Sequence, residues 1–160
     1  MGLIGRIADA DGAGPCVARR GQRPSRVLIV DDLEDNRRAL TRLCQMFGLR
    51  TEAAEDGAQA VAAVSRRRFD LVLMDVFMPR VDGLEATRAI RALGGRQAAT
   101  PIIGVMRGPD PLTRQRYRAL GMTDLMDKPV APGRLAEAIN AALDGARQQA
   151  RRRKRLALAA

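Results

Sequence analysis

Val27-Leu28-Ile29-Val30-Asp31-Asp32 is the stretch that decides the fold. Four apolar residues in a row, three of them β-branched, leave a strand no polar face. Such strands suit the middle of a parallel sheet covered on both sides. Two carboxylates then stand at the strand's carboxyl end. Leu71-Val72-Leu73-Met74-Asp75 repeats the pattern, and Pro101-Ile102-Ile103-Gly104-Val105 is a third run of the same kind.

Between these runs the apolar period changes from that of a strand to that of a helix. After Asp32, residues Leu40, Leu43, Cys44 and Phe47 share one helical face, with arginines on the other. Gly48 ends that helix. A second strand is predicted near 49–54 and an Ala-rich helix near 57–67. A third helix starts near Gly83 and ends at Gly94-Gly95, and a fourth covers about 111–120 and stops at Gly121. A short fifth strand over 123–126 leads to Pro129 and a last helix from about 132 to 144. Five strand–helix units in alternation predict an α/β fold, a doubly wound five-stranded parallel sheet with right-handed crossovers.

The chain has 160 residues, 46% hydrophobic and 29% charged, which suits one domain with some residues to spare. It has no apolar run near the ~18 residues of a membrane span. The absence of histidine removes most zinc sites, Ser-His-Asp hydrolysis and autophosphorylation on histidine. Cys16 and Cys44 form no C-x-x-C pair, so neither a metal knuckle nor a redox motif is present. A reducing, cytoplasmic setting is the simpler expectation for them than a disulfide.

The net charge of +10 is unevenly placed. Residues 1–25 carry four Arg and two Asp, 26–144 carry 18 basic and 16 acidic residues, and 145–160 carry six basic residues and no acid. Of 28 basic residues 26 are Arg and only Lys128 and Lys154 are Lys, a skew that weakens high charge as an argument for nucleic-acid binding. Three segments follow: a disordered N-terminal arm over 1–25, a folded domain over 26–144, and a basic tail over 145–160. The arm has weak apolar periodicity and several turn dipeptides. The tail is rich in helix formers that can extend the last helix, although Gly145 argues for a break. Arg151-Arg152-Arg153-Lys154-Arg155 can meet an acidic partner, nucleic acid or an anionic membrane surface, but the tail has no aromatic residue for base stacking.

In open α/β sheets, ligands bind at the carboxyl ends of the strands. Topology alone therefore gathers Asp31, Asp32, Asp75 and Lys128 on one edge. Single carboxylates at such ends are commonly caps of the following helix. Three together repel, at about 4 kcal/mol for a pair 4 Å apart with an effective dielectric near 20, and call for a cation. Carboxylate oxygens suit Mg²⁺. Asp32 and Asp75 are the expected direct ligands, Asp31 binds directly or through water, and the Phe77 carbonyl can add a further oxygen. Lys128 can pair with the oxygens of an incoming phosphoryl group, and Asp75 can act as its nucleophile.

These residues resemble a response-regulator receiver domain, in particular those associated with hybrid sensor histidine kinases. Val-Leu-Ile-Val-Asp31-Asp32 with Glu34-Asp35-Asn36-Arg37 is similar to the family's first strand and helix start. Asp75-Val-Phe-Met78-Pro79-Arg-Val-Asp82-Gly83-Leu84-Glu85 is similar to its phosphorylation loop, and Gly121-Met-Thr-Asp124 with Lys128-Pro129 to its fifth strand. The resemblance covers about 26–144. It implies strand order 2-1-3-4-5 and phosphotransfer with Mg²⁺ from a phosphohistidine to Asp75. It implies a sensor histidine kinase or histidine phosphotransfer protein as donor, and a cis peptide before Pro129. It also implies a regulatory phosphoacceptor rather than an enzyme in the usual sense.

Two positions depart from the family. Met106 stands where a Ser or Thr hydroxyl bonds the phosphoryl group, and Leu125 stands where a Tyr or Phe turns inward on activation. A hydrogen bond to a charged group contributes roughly 1.5–3 kcal/mol, which is the whole of a typical allosteric coupling. The expectation is a domain that accepts phosphate but transmits it poorly or by another route. Arg107, where the family has a small residue, can contact the phosphoryl group, shield Asp75, or simply be solvated. Phe77 either limits water access or packs in its loop.

A phosphorylation-independent interaction module with the same fold is the competing reading, favoured by Met106 and Leu125 and opposed by the intact acidic cluster. An aspartyl-phosphate hydrolase of the haloacid-dehalogenase type needs a second Asp where Phe77 stands. No Gly-rich phosphate loop follows the first strand, which weighs against nucleotide binding there. The face of the fourth and fifth helices, with Arg114, Arg116 and Arg118, is the expected partner or homodimer surface. No output domain is expected after residue 144, so a single-domain regulator or a receiver cut from a longer chain fits.

Overall fold

The computed structural model describes residues 23–158. The N-terminal arm expected over 1–25 lies, except for its last three residues, outside them. Strands β1 (Arg26–Val30), β2 (Arg50–Ala54), β3 (Leu71–Asp75), β4 (Ile102–Met106) and β5 (Asp124–Asp127) alternate with helices α1 (Glu34–Met46), α2 (Gly57–Arg66), α3 (Gly83–Ala92), α4 (Pro111–Ala119) and α5 (Pro132–Leu158). The sheet is parallel throughout, in the order β2-β1-β3-β4-β5. Chain order reverses between β1 and β3, so the carboxyl ends of these two strands flank the crevice where such sheets bind ligands.

The alternation of side chains along each strand divides the core into two layers. Val27, Ile29, Leu71, Leu73 and Ile103 pack under α1 and α5, against Leu40, Cys44, Leu135 and Ile139. Leu28, Val30, Val72, Met74 and Ile102 pack under α2 and α3, against Ala60, Val64, Ala86 and Ile90. β3 and β4 are buried at every residue, as their unbroken apolar runs require. Cys44 belongs to the first layer, and Cys16 lies outside the described residues.

Three helices start on aspartate caps. Asp56 accepts from the Gln59 amide, Asp82 from the Glu85 amide and Asp110 from the Thr113 amide. None of these is among the strand-end carboxylates. α1 starts at Leu33 with no side-chain cap.

The last helix departs from the expected end near residue 144. It runs unbroken for 27 residues to Leu158. Gly145 costs only about 1 kcal/mol relative to Ala within a helix, and the Ala, Gln and Arg around it favour continuation. No helix among the described residues is long and apolar enough to cross a membrane.

Candidate functional site: an acidic crevice closed by Lys128

β1 delivers Asp31 and Asp32 to the crevice, β3 delivers Asp75, and the turn after β5 delivers Lys128. Carboxylate oxygens of the three aspartates lie within 4.8 Å of one another. Asp31 and Asp75 are 1% and 5% exposed, while Asp32 opens to solvent. The Lys128 ammonium donates to Asp31 Oδ2 at 3.0 Å and to Asp75 Oδ2 at 2.7 Å. The Lys128–Pro129 peptide is cis, and the Lys128 amide donates to the Met106 carbonyl at 2.8 Å.

Burial is the largest influence on Asp75 and raises its pKa. The hydrogen bond and charge of Lys128 oppose that rise, Asp31 adds to it, and the Phe77 amide opposes it. Lys128 moves up as well. Burial works against its ammonium, but the hydrogen bonds and charges of Asp75 and Asp31 outweigh that. One ammonium is thus shared by two buried carboxylates, and the site can take more positive charge.

Asp75 is spared capping work because Asp82 caps α3, and α1 has no side-chain cap, so neither Asp31 nor Asp32 caps a helix. Asp31 is instead held from its own chain. Its Oδ1 accepts from the Leu33 amide at 3.0 Å, and both its oxygens accept from Asn36 Nδ2, at 3.0 and 3.1 Å. Arg37 Nη1 donates to the carbonyls of Asp31 and Asp32, at 2.8 and 3.0 Å. Asn36 and Arg37 were part of the quoted α1 pattern, but their positioning role was not legible from it. A side chain that orients another carboxylate has no signature in sequence beyond its place in the next helix's first turn.

Three carboxylates within one small volume form an all-oxygen donor set of the kind a hard divalent cation takes, with water completing its shell. The fit is good for Mg²⁺. Asp75 Oδ1 already accepts from the Phe77 amide at 3.2 Å, leaving Oδ2 turned to Lys128.

Around this centre the two positions expected to act as a switch are apolar and closed. Met106 ends β4 with its side chain buried in the α2–α3 layer, and Leu125 lies in the same layer. A β-carbon added at Gly104 would come within 2.6 Å of both Leu125 Cδ2 and Met122 Sδ, so these side chains fill the space over β4. Phe77 is 64% exposed, so the loop-packing reading of its ring does not hold. Arg107 is exposed and has no hydrogen bond or ion pair with another described residue.

Arg114, expected as a surface charge for partners, is tied down instead. It is partly buried, and its guanidinium donates to the Pro109 carbonyl at 3.2 Å, the Leu125 carbonyl at 2.6 Å and Asp127 Oδ2 at 2.8 Å. It joins the β4–α4 loop and α4 to β5. Arg118 pairs with Asp124 at 2.6 Å. Sequence shows an arginine on a helix. Which way it turns depends on the carbonyls that tertiary packing leaves within reach.

A family model, the response regulator receiver domain, matches residues 27–140. Among curated proteins the chain is 38% identical over 119 residues to the sensor protein GacS of Pseudomonas syringae, covering 73% of this chain and 13% of that protein. It is 36% identical over 134 residues to the sensor histidine kinase AruS of Pseudomonas aeruginosa, covering 83% and 13%. The chain therefore spans only a small part of these two proteins. Among solved structures, the Vibrio cholerae chemotaxis protein CheY4 matches with TM-score 0.70 and 32% identity, over 76% of this chain and all of that one. The receiver domain of the Pseudomonas aeruginosa sensor histidine kinase PA1611 matches with TM-score 0.69 and 30% identity, over 76% and 99%, and holds a magnesium ion in its active site cleft.

Proposed function

The chain belongs to the response regulator receiver domain family, and from that premise we propose that it is a phosphoacceptor in a two-component phosphorelay, with Asp75 as the acceptor. The observation that carries this reading is the contact of Lys128 with Asp75 Oδ2 beside two further carboxylates. Asp31, Asp32, Asp75 and the Phe77 carbonyl are the residues that would hold Mg²⁺. Bound there, Mg²⁺ supplies positive charge for the phosphoryl oxygens.

The chain's own part follows from its geometry. An Asp75 oxygen attacks the phosphorus of a phosphohistidine. The O–P bond forms as the P–N bond breaks, and the imidazole leaves with the electron pair and takes up a proton. Lys128 leaves the carboxylate and pairs with a phosphoryl oxygen as a point charge. Asn36 and Arg37 hold Asp31 and the β1 terminus still, so the transfer needs little rearrangement. The donor is a sensor histidine kinase or a histidine phosphotransfer protein. The chain acts as a regulatory acceptor in a reducing cytoplasmic setting.

Transmission is the unusual part of the proposal. With Met106 and Leu125 both buried and neither bearing a hydroxyl or ring, the phosphoryl group has no side chain on β4 or β5 to pull. Arg107, exposed and with no side-chain partner among the described residues, contacts the phosphoryl group, shields it, or is simply solvated. An Arg107→Ala variant with unchanged loading rate and phosphoryl lifetime would reject the contact and shielding roles.

Intact-protein mass spectrometry after incubation with acetyl phosphate and Mg²⁺ tests the central reading. One added phosphoryl group on the wild type, absent from Asp75→Asn and from a chelator control, is the expected result. If neither acetyl phosphate nor a phosphohistidine donor loads the wild type, the second reading applies. That reading is a phosphorylation-independent interaction module, favoured by the buried apolar side chains of Met106 and Leu125.

A further inference from the structure

α5 overshoots the sheet. Its last two turns and more lie beyond the core, and with the loops below β1, β3 and β4 they enclose a groove of about 980 Å³. This groove is at the amino ends of the strands. Asp70, on its wall, immediately precedes β3, whereas Asp75 ends that strand on the far side. Five residues of strand rise separate the two, about 16 Å.

Six cationic side chains line the groove: Arg23, Arg68, Arg96, Arg147, Arg153 and Lys154. They come from four separate parts of the chain, so this is more than a charged run on one helix. Asp70 is the only carboxylate in the lining, and it is already engaged by Arg23 at 3.2 Å and by the Arg26 amide at 2.8 Å. Arg147 pairs with Asp144 at 3.1 Å. The side chains of Arg68, Arg96, Arg153 and Lys154 have no ion pair or hydrogen bond with any other described residue. Between them the α5 wall presents Ala146, Ala150 and Ala157, whose small side chains keep the space open.

We propose that this groove binds a compact, multiply phosphorylated small molecule, at a site remote from Asp75. Guanidinium groups match phosphate oxygens in a bidentate fork, and a concavity lined by one sign of charge concentrates its field on an anion. The volume is that of a small-molecule site. Single-stranded nucleic acid is disfavoured, because the one aromatic residue in the lining, Phe69, is buried and offers no face for stacking. A membrane surface is disfavoured as well. Exposed Leu156 and Leu158 lie two residues apart on α5 and cannot form one apolar stripe.

The test is isothermal titration of the full chain with inorganic tripolyphosphate and with a nucleoside triphosphate, in magnesium-free buffer at about physiological ionic strength. Two double variants remove equal charge. Arg68→Ala with Arg96→Ala takes it from the groove loops, and Arg151→Ala with Arg152→Ala takes it from α5 outside the lining. One equivalent of at least one probe should bind the wild type. The loop pair should lose roughly tenfold or more in affinity while the helix pair changes by less than about threefold. All four side chains are exposed and have no partner among the described residues, so both variants should fold, which circular dichroism checks. Equal losses in the two variants would show a diffuse basic tail and overturn the proposal. So would no binding of either probe, or tighter binding of duplex DNA or anionic vesicles that the loop pair leaves unchanged.

Discussion

Lys128 Nζ lies 2.7 Å from an Asp75 carboxylate oxygen, across 53 residues of chain. The same ammonium reaches Asp31 at 3.0 Å. It is the positive group the acidic crevice uses in its own structure and, in the proposed phosphotransfer, the group that changes partner to a phosphoryl oxygen. Replacing Lys128 with Ala should slow loading from acetyl phosphate by roughly a hundredfold, in line with the loss of one oriented stabilising group. Mass-spectrometric time courses at fixed Mg²⁺ would check this. An unchanged rate would remove Lys128 from the transfer.

Met106 offers a gain-of-function test. Met106→Thr gives up part of a buried apolar side chain and should lower unfolding free energy by about 2 kcal/mol, read by denaturant titration. It supplies a hydroxyl at the end of β4. On phosphorylation, the variant should show amide shifts over α4 and β5 that are larger than those of the wild type by NMR. Large shifts in the wild type itself would show that its transmission does not need that hydroxyl.

Arg114 holds the β4–α4 loop and α4 to β5. α4 buries none of its own residues, so this tie and the Asp110 cap have little packing to assist them. Arg114→Ala should cost about 1–2 kcal/mol, with the exposed Asp127 contact contributing least. The accompanying signature is faster amide exchange confined to α4 and the start of β5. Exchange that rises evenly over the whole domain would contradict a local tie.

Asp110 links α4 to pH. The amide and hydroxyl of Thr113 hydrogen-bond its carboxylate and hold its pKa below the ordinary 3.8. A depressed carboxylate stabilises the fold above its unfolded pKa, and that contribution disappears as pH falls through the folded value. Amide exchange in the first turn of α4, corrected for intrinsic rates, should therefore rise below about pH 4 in the wild type. Asp110→Asn should flatten that response.

Gly83 is a packing constraint placed next to the acceptor. A β-carbon there would overlap the Asp75 carbonyl oxygen and approach Met74 Cγ and the Val76 Cα at 2.9 Å. Backbone cannot yield as a side-chain tip can. Gly83→Ala should destabilise by at least about 2 kcal/mol and weaken Mg²⁺ binding, because any relief moves the end of β3. Fluorescence or calorimetric titration with Mg²⁺ would separate this from a purely global effect. A stable variant with unchanged Mg²⁺ affinity would refute it.

The strand runs were legible in sequence because a strand buried on both faces must be apolar at every position. Val27–Val30 and Leu71–Met74 state that requirement locally. The glycine stops and the change of period place α2, α3 and α4 to within a residue or two, whereas the last helix runs to Leu158, well past its expected end near 144. Strand-end position, a topological rule, then brings Asp31, Asp32, Asp75 and Lys128 together from sequence alone.

Tertiary structure decided the rest, since the deciding contacts join residues far apart in the chain or choose among rotamers. Whether an aspartate caps a helix or stays available to a cation depends on the contacts the fold gives it; Asp82 caps α3 in place of Asp75, and α1 has no side-chain cap, so Asp31 and Asp32 stay at the crevice. Arg114 turns inward because the Pro109 and Leu125 carbonyls lie within its reach, and only the packing of α4 on β5 puts them there. Gly145 sits in a helix because its neighbours' propensities outweigh its own. The basic groove exists because that helix continues past the sheet and faces arginines from three distant segments.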